Sequence, residues 1–321
     1  MKKDSKVKNK ESVKLKVLKT MNIFNSPIND IYFFPNKNFL INADGTYKIY
    51  NDKYMCIRTK KDIHYKNIKI IDNDSFICLK DNTKLMNINL KTGKATKIFE
   101  FPKKVLNLLY YKNKYITLNE DYKINLWEAI SNNKIQLLTT FILNVSEKPL
   151  DFIILLVPEK DELIVSINDM EIITYFYDLK SLKIINKIPD VFHEKIYKLN
   201  DDLYMFPYFK YSEADSYINI YDFSKNEIVK KIENKFCSSM EILNIPERKI
   251  LLVAGFEFSE SAGSREFKNI YVLNYNFEQI FNLNNIHYRN ILGIKLYQKK
   301  EKEYLILTYS EDGAVNVLSL I

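Results

Sequence analysis

EDYKINLWE, residues 120–128, carries the chain's only tryptophan, Trp127, with Asp121 six residues before it and Glu128 directly after. Its YKINLW core alternates between apolar and polar side chains, the period of a strand with one buried face. The same alternation returns in YKIY (47–50), KLMNIN (84–89), IITYFY (172–177), YINIYD (217–222), IYVLNY (270–275) and AVNVLS (314–319). No segment sustains a helical stripe, so the chain reads as all-β and repetitive.

Aligned on Trp127, the units place Tyr50, Ile88, Tyr177, Tyr221, Leu273 and Leu318 at the equivalent position, 38 to 52 residues apart. A four-stranded propeller blade occupies about 40–45 residues, and the longer units are read as carrying insertions. Aspartate stands six residues before the anchor at Asp44, Asp121, Asp215 and Asp312. A carboxylate or amide follows it at Asn51, Asn89, Glu128, Asp178, Asp222 and Asn274.

On these residues the chain, from about 12 to 321, resembles the WD-repeat β-propeller family. A family unit has an aspartate in the tight turn before its third strand and closes that strand with Trp-Asp. TGK at 92–94 is similar to the family's turn into the outermost strand. His64, His193 and His287, the only histidines, fall where the family has one between consecutive blades. The resemblance implies that such a histidine hydrogen-bonds with the turn aspartate, a hydroxyl and the tryptophan. Departures are evident: one unit alone has Trp, the glycine before the histidine is missing, unit two needs one extra turn residue and unit four two, and unit six lacks the aspartate.

The expected fold is a single seven-bladed propeller over 12–321, preceded by a basic tail, 1–11, read as a disordered solubilising leader. GAVNVLSLI (313–321) ends on the third strand of the last unit, and SVKLKVLKT (12–20) belongs to no complete unit. Val13, Leu15 and Val17 alternate with Lys14 and Lys16, so this segment is expected to supply the missing outer strand and close the ring.

Charge carries little functional information beyond the tail. The formal charge is +8, yet residues 1–19 hold eight lysines against Asp4 and Glu11, which leaves the remainder nearly balanced. Glycine is scarce, at six residues, so Asn, Asp and Lys must supply most of the turns. Cys56, Cys78 and Cys237 are far apart and suggest neither a disulfide framework nor a thiolate zinc site. The longest apolar run, FIILLVP at 152–158, is too short to span a bilayer, and no secretory leader is read at the start. An intracellular protein is expected, cytoplasmic in the first instance, with the nucleus also open.

Motifs of catalysis are missing. No HExxH or His-Cys grouping occurs; GKA at 93–95 lacks the glycine and hydroxyl of a phosphate loop; SESAGSREF at 259–267 lacks the second glycine of a nucleophile elbow. Asp201 and Asp202 read as turn residues. No cofactor or metal ligand is assigned, and the chain is read as a non-enzyme.

Two second-to-third turns stand out by length, PYFKYSEADS (207–216) and FEFSESAGSREF (256–267). In the family these turns share a face with the connections between blades, the face most used for partners. Phe209, Tyr211, Phe258, Arg265 and Phe267, with Tyr288 and Arg289 from the connection after His287, are therefore the partner-binding candidates. The alternative is that the aromatics continue the strands and pack as core. The resulting expectation is a non-catalytic interaction scaffold, a subunit of a larger complex with an unidentified protein partner. Two rivals remain. One is an anion-binding module using the lysine tail for nucleic acid or acidic lipid, although the Phe-Arg-Arg-Gly phrase of lipid-binding propellers is absent. The other is an enzyme with a metal in its channel.

Overall fold

A computed structural model describes residues 13–61, 64–131, 134–141, 149–169, 171–191, 195–210, 215–234, 241–255, 269–299 and 303–321. The proposed tail, 1–11, lies outside them. Seven four-stranded antiparallel sheets form a ring, a seven-bladed propeller. From blade one to blade seven the inner strands are Ile28–Phe33, Tyr65–Ile70, Val105–Tyr111, Asp151–Val157, Tyr197–Lys198, Glu241–Ile245 and Ile291–Lys299. The third strands are Thr46–Tyr50, Lys84–Asn89, Ile124–Ser131, Ile172–Asp178, Asp215–Asp222, Asn269–Asn274 and Ala314–Leu320. Among the described residues no helix is long and apolar enough to cross a membrane.

Every anchor read from the sequence lies on a third strand and is buried, from Tyr221 and Leu318 at 0% exposure to Tyr50 at 8%. The core is divided into seven clusters, each filling the junction between two neighbouring blades, and each contains one anchor. Trp127, for example, packs on Leu79 and Leu85 of blade two, with the rings of Phe99 and Phe101 5.6 and 5.4 Å away. The repeated apolar residue therefore seals each blade to the one before it. Blade count and core are a single pattern.

Beside six of the anchors the ladder to the outer strand skips one residue. These are Ile57, Leu138, Ile185, Val229, Ile280 and Leu18, all exposed. In blade two the skip is at Ile98, short of the anchor Ile88. Such a bulge bends the rim strand, increases its twist and makes it a poor template for further pairing. The turn after the anchor is closed by the residue that follows it. Side-chain oxygens of Asn51, Asn89, Asp178, Asp222 and Asn274 accept backbone N–H groups two or more residues on. With glycine scarce, Tyr54, Asn82, Tyr122, Asp161, Asn226 and Lys249 take left-handed turn positions themselves.

The outer strand of blade seven is Leu15–Asn22, paired antiparallel with Ala314–Leu320, so the N-terminal strand closes the ring. It starts and ends later than the expected 12–20, and one expected contact is wrong. Leu15 is buried and Val13 packs on the same cluster, but Val17 is 40% exposed. The bulge at Leu18 reverses the alternation, so the second half of the clasp buries Met21 and then Ile23 in the junction with blade one.

Candidate interaction face

The best-defined part of the expected partner face is built on a buried histidine. His287, 4% exposed, sits in the connection from blade six to blade seven, its Nε2 2.9 Å from Thr308 Oγ1. Its Nδ1 lies 3.4 Å from Asp312 Oδ2, an electrostatic contact rather than a full hydrogen bond. Burial pushes the imidazole below its usual range and Asp312 only partly opposes this, so the ring is neutral at neutral pH. Burial likewise pushes Asp312 up. Hydrogen bonds from Ser310 and from the amides of Ala314 and Tyr288, with His287, outweigh it and keep the carboxyl low and ionised.

Asp312 therefore holds two backbones at once. Oδ1 accepts from Ser310 Oγ and, at 2.9 Å, from Ala314 N, which shapes the turn; Oδ2 accepts from Tyr288 N at 2.8 Å, which fixes the connection. Two further bonds complete the frame: Asn316 Nδ2 donates to Ile286 O, and Glu311 N to Asn290 O at 3.0 Å. Gly313, at φ +76°, closes the turn, and its carbonyl accepts from Ile23 and Phe24 N, both at 3.1 Å. A Cβ there would come within 2.0 Å of Phe24 O, so only glycine fits. From this frame Tyr288, 89% exposed, and Arg289, also exposed, face solvent. The backbone that carries this large aromatic, tethered at Ile286, Tyr288 and Asn290, is ordered before any partner arrives.

Other blades pair turn and connection differently. In blade three Trp127 Nε1 donates to Thr117 Oγ1 at 2.9 Å, and no histidine is present. Asp121 instead pairs with Lys103 at 2.7 Å and Lys123 at 3.7 Å, while Glu120 N donates to Lys104 O. Burial pushes Asp121 up, but the two lysines hold it below the usual carboxylate range. Blade three thus has the tryptophan and hydroxyl, and blade seven the histidine, hydroxyl and aspartate. In blade one His64 is exposed with its ring over Gly45, and Asp44 is exposed in the turn.

The first long turn read from the sequence is shorter than 207–216. Pro207, Tyr208, Phe209 and Lys210 pair with Ile218, Tyr217, Ser216 and Asp215, so both strands extend and Phe209 and Asp215 belong to the ladder. Strand-forming aromatics prolong the hairpin where loop length alone suggests an open loop. Tyr211, Phe258, Arg265, Phe267 and His193 lie outside the described residues. The partner of Asp121 was not foreseen. Its only signal is KK at 103–104, in the connection between blades two and three.

Among the described residues no three His, Cys, Asp or Glu side chains are grouped as a metal site. No protein-family model matches the chain, and no curated protein matches it in sequence.

Proposed function

We propose that the chain is a WD-repeat-type propeller that acts as a non-catalytic protein-interaction scaffold, one subunit of a larger intracellular complex. The partner face is the one that presents Tyr288 and Arg289. The observation that carries this reading is the tethering of an almost fully exposed Tyr288, beside Arg289, to the buried pair His287 and Asp312. Tyrosine and arginine are residue types that concentrate binding energy, and a stiff ring costs little ordering on association. The WD-repeat assignment is supported by the two complementary bonding sets, Trp127–Thr117 and His287–Thr308–Asp312, at the positions that the repeat reserves for them.

The test is recovery of complexes from the source cells with tagged wild-type chain and with Tyr288→Ala/Arg289→Glu. Partners should be lost from the variant while its melting temperature stays within about 1–2 °C of wild type, since exposed residues contribute little to stability. Equal recovery by a correctly folded variant would move the partner site to the opposite face or the rim.

A further inference from the structure

At the centre of the ring lies a cavity of about 660 Å³, broadly open to solvent and lined from the inner strands of several blades and the segments beside them. Much of its exposed wall is apolar, with the partly exposed Leu155 and Ile196 among the lining residues. The charged side chains are mostly committed to one another. Asp30 is held by Lys295 and by Tyr309 Oη at 2.8 Å; Glu241 is held by Lys195.

Lys69 differs. It lines the same cavity from blade two, half-buried, with Nζ 5.2 Å from the centroid of the Tyr110 ring. No carboxylate among the described residues pairs with it. Burial alone pushes its ammonium below the usual lysine range, which is the cost of a charge left without a counter-ion. Lys69, Lys195 and Lys295 stand against Asp30 and Glu241, so this set carries one positive charge in excess.

We propose that the central cavity binds a small monoanion, a carboxylate on an apolar body, with the carboxylate on Lys69 Nζ and the body against Leu155 and Ile196. A single negative charge neutralises the site. A phosphate monoester overshoots it and meets the Asp30 and Glu241 carboxylates, whose lysines are already engaged. The apolar wall selects a hydrophobic acid over a free inorganic anion.

Titration calorimetry with 2-naphthoate, 2-naphthamide and 2-naphthyl phosphate tests this on the full chain and on Lys69→Met, which keeps the apolar stem. Wild type should bind naphthoate saturably, and both other probes about tenfold or more weakly, a difference of about 1.4 kcal/mol. Lys69→Met should lose about tenfold or more for naphthoate, bind naphthamide as wild type does, and melt no lower than wild type. Naphthoate that fails to saturate by about 10 mM, a Kd range too weak for a built site, overturns the proposal. So does naphthamide binding as tightly as naphthoate, unchanged naphthoate affinity in Lys69→Met, or naphthyl phosphate binding more tightly than naphthoate.

Discussion

Lys14 and Ile321 exchange two main-chain hydrogen bonds, Lys14 N to Ile321 O at 3.0 Å and Ile321 N to Lys14 O at 2.9 Å. They begin a ladder that runs to Asn22 and Ala314 and continues through Gly313 to Ile23 and Phe24. The ring is closed by this one strand, which buries Leu15 in the junction with blade six and Met21 in the junction with blade one.

Removal of residues 1–11 should therefore leave the melting temperature almost unchanged, whereas removal of 1–22 should give an unstable, aggregation-prone chain. Burial of Leu15 and Met21 at about 1.5–3 kcal/mol each is a large share of a typical stability of about 5–15 kcal/mol. Thermal melts of the two truncations check this, and equal melting would refute the clasp.

In blade three, Thr117→Val leaves the buried Trp127 N–H without its acceptor and should cost about 1–3 kcal/mol. Trp127→Phe in the Thr117→Val background should cost less than in wild type, a coupling of about 1 kcal/mol measured by a denaturant double-mutant cycle. Asp121→Ala should cost less than about 1 kcal/mol, since its lysine partners are half exposed.

The blades were legible because their signal is local and repeated. One buried residue per unit, followed by an Asx turn, is visible at Tyr50, Tyr177 and Tyr221 without any partner strand in view. What could not be read depends on register. Leu18 is an ordinary apolar residue in an alternating segment until the ladder skips it, and the skip then turns Met21 to the junction with blade one. Phe209 was ambiguous for the same reason, because only pairing with Ser216 separates a long hairpin from a long loop. The cavity was invisible in sequence, since Asp30, Lys69 and Glu241 meet only when the ring closes.

Glu162, buried between blades four and five with Oε2 unpartnered, should set a pH dependence. Burial pushes its carboxyl up to about 7, with Lys160 opposing and Asp178 adding to the rise. The unfolded chain releases this proton near its ordinary value of 4.5 and the folded chain only near 7. Its contribution is thus full below 4.5, declines from there to about 7 and stays low above. Glu162→Gln should stabilise the protein by about 1–3 kcal/mol at alkaline pH and by almost nothing in acid. Urea unfolding at both ends of that range reads the difference; a pH-independent effect would show that Glu162 does not titrate there.

Gly293 faces the Tyr309 ring across the blade-seven ladder, and a Cβ at 293 would lie 2.1 Å from its Cζ. Gly293→Ala should destabilise by about 1–3 kcal/mol through overpacking. In a Tyr309→Ala background the same change should cost far less. Similar costs in both backgrounds, compared by chemical denaturation, would place the strain elsewhere.

The proposed partner face is tested most directly by hydrogen exchange on any complex recovered from source cells, compared with the isolated chain. Amides of the connection 286–290 and of the turn 311–313 should gain protection on assembly. Protection confined to the outer strands, or to the turns between first and second strands at Lys112, Asp161 and Lys249, would contradict the account and place the partner on the rim or the opposite face.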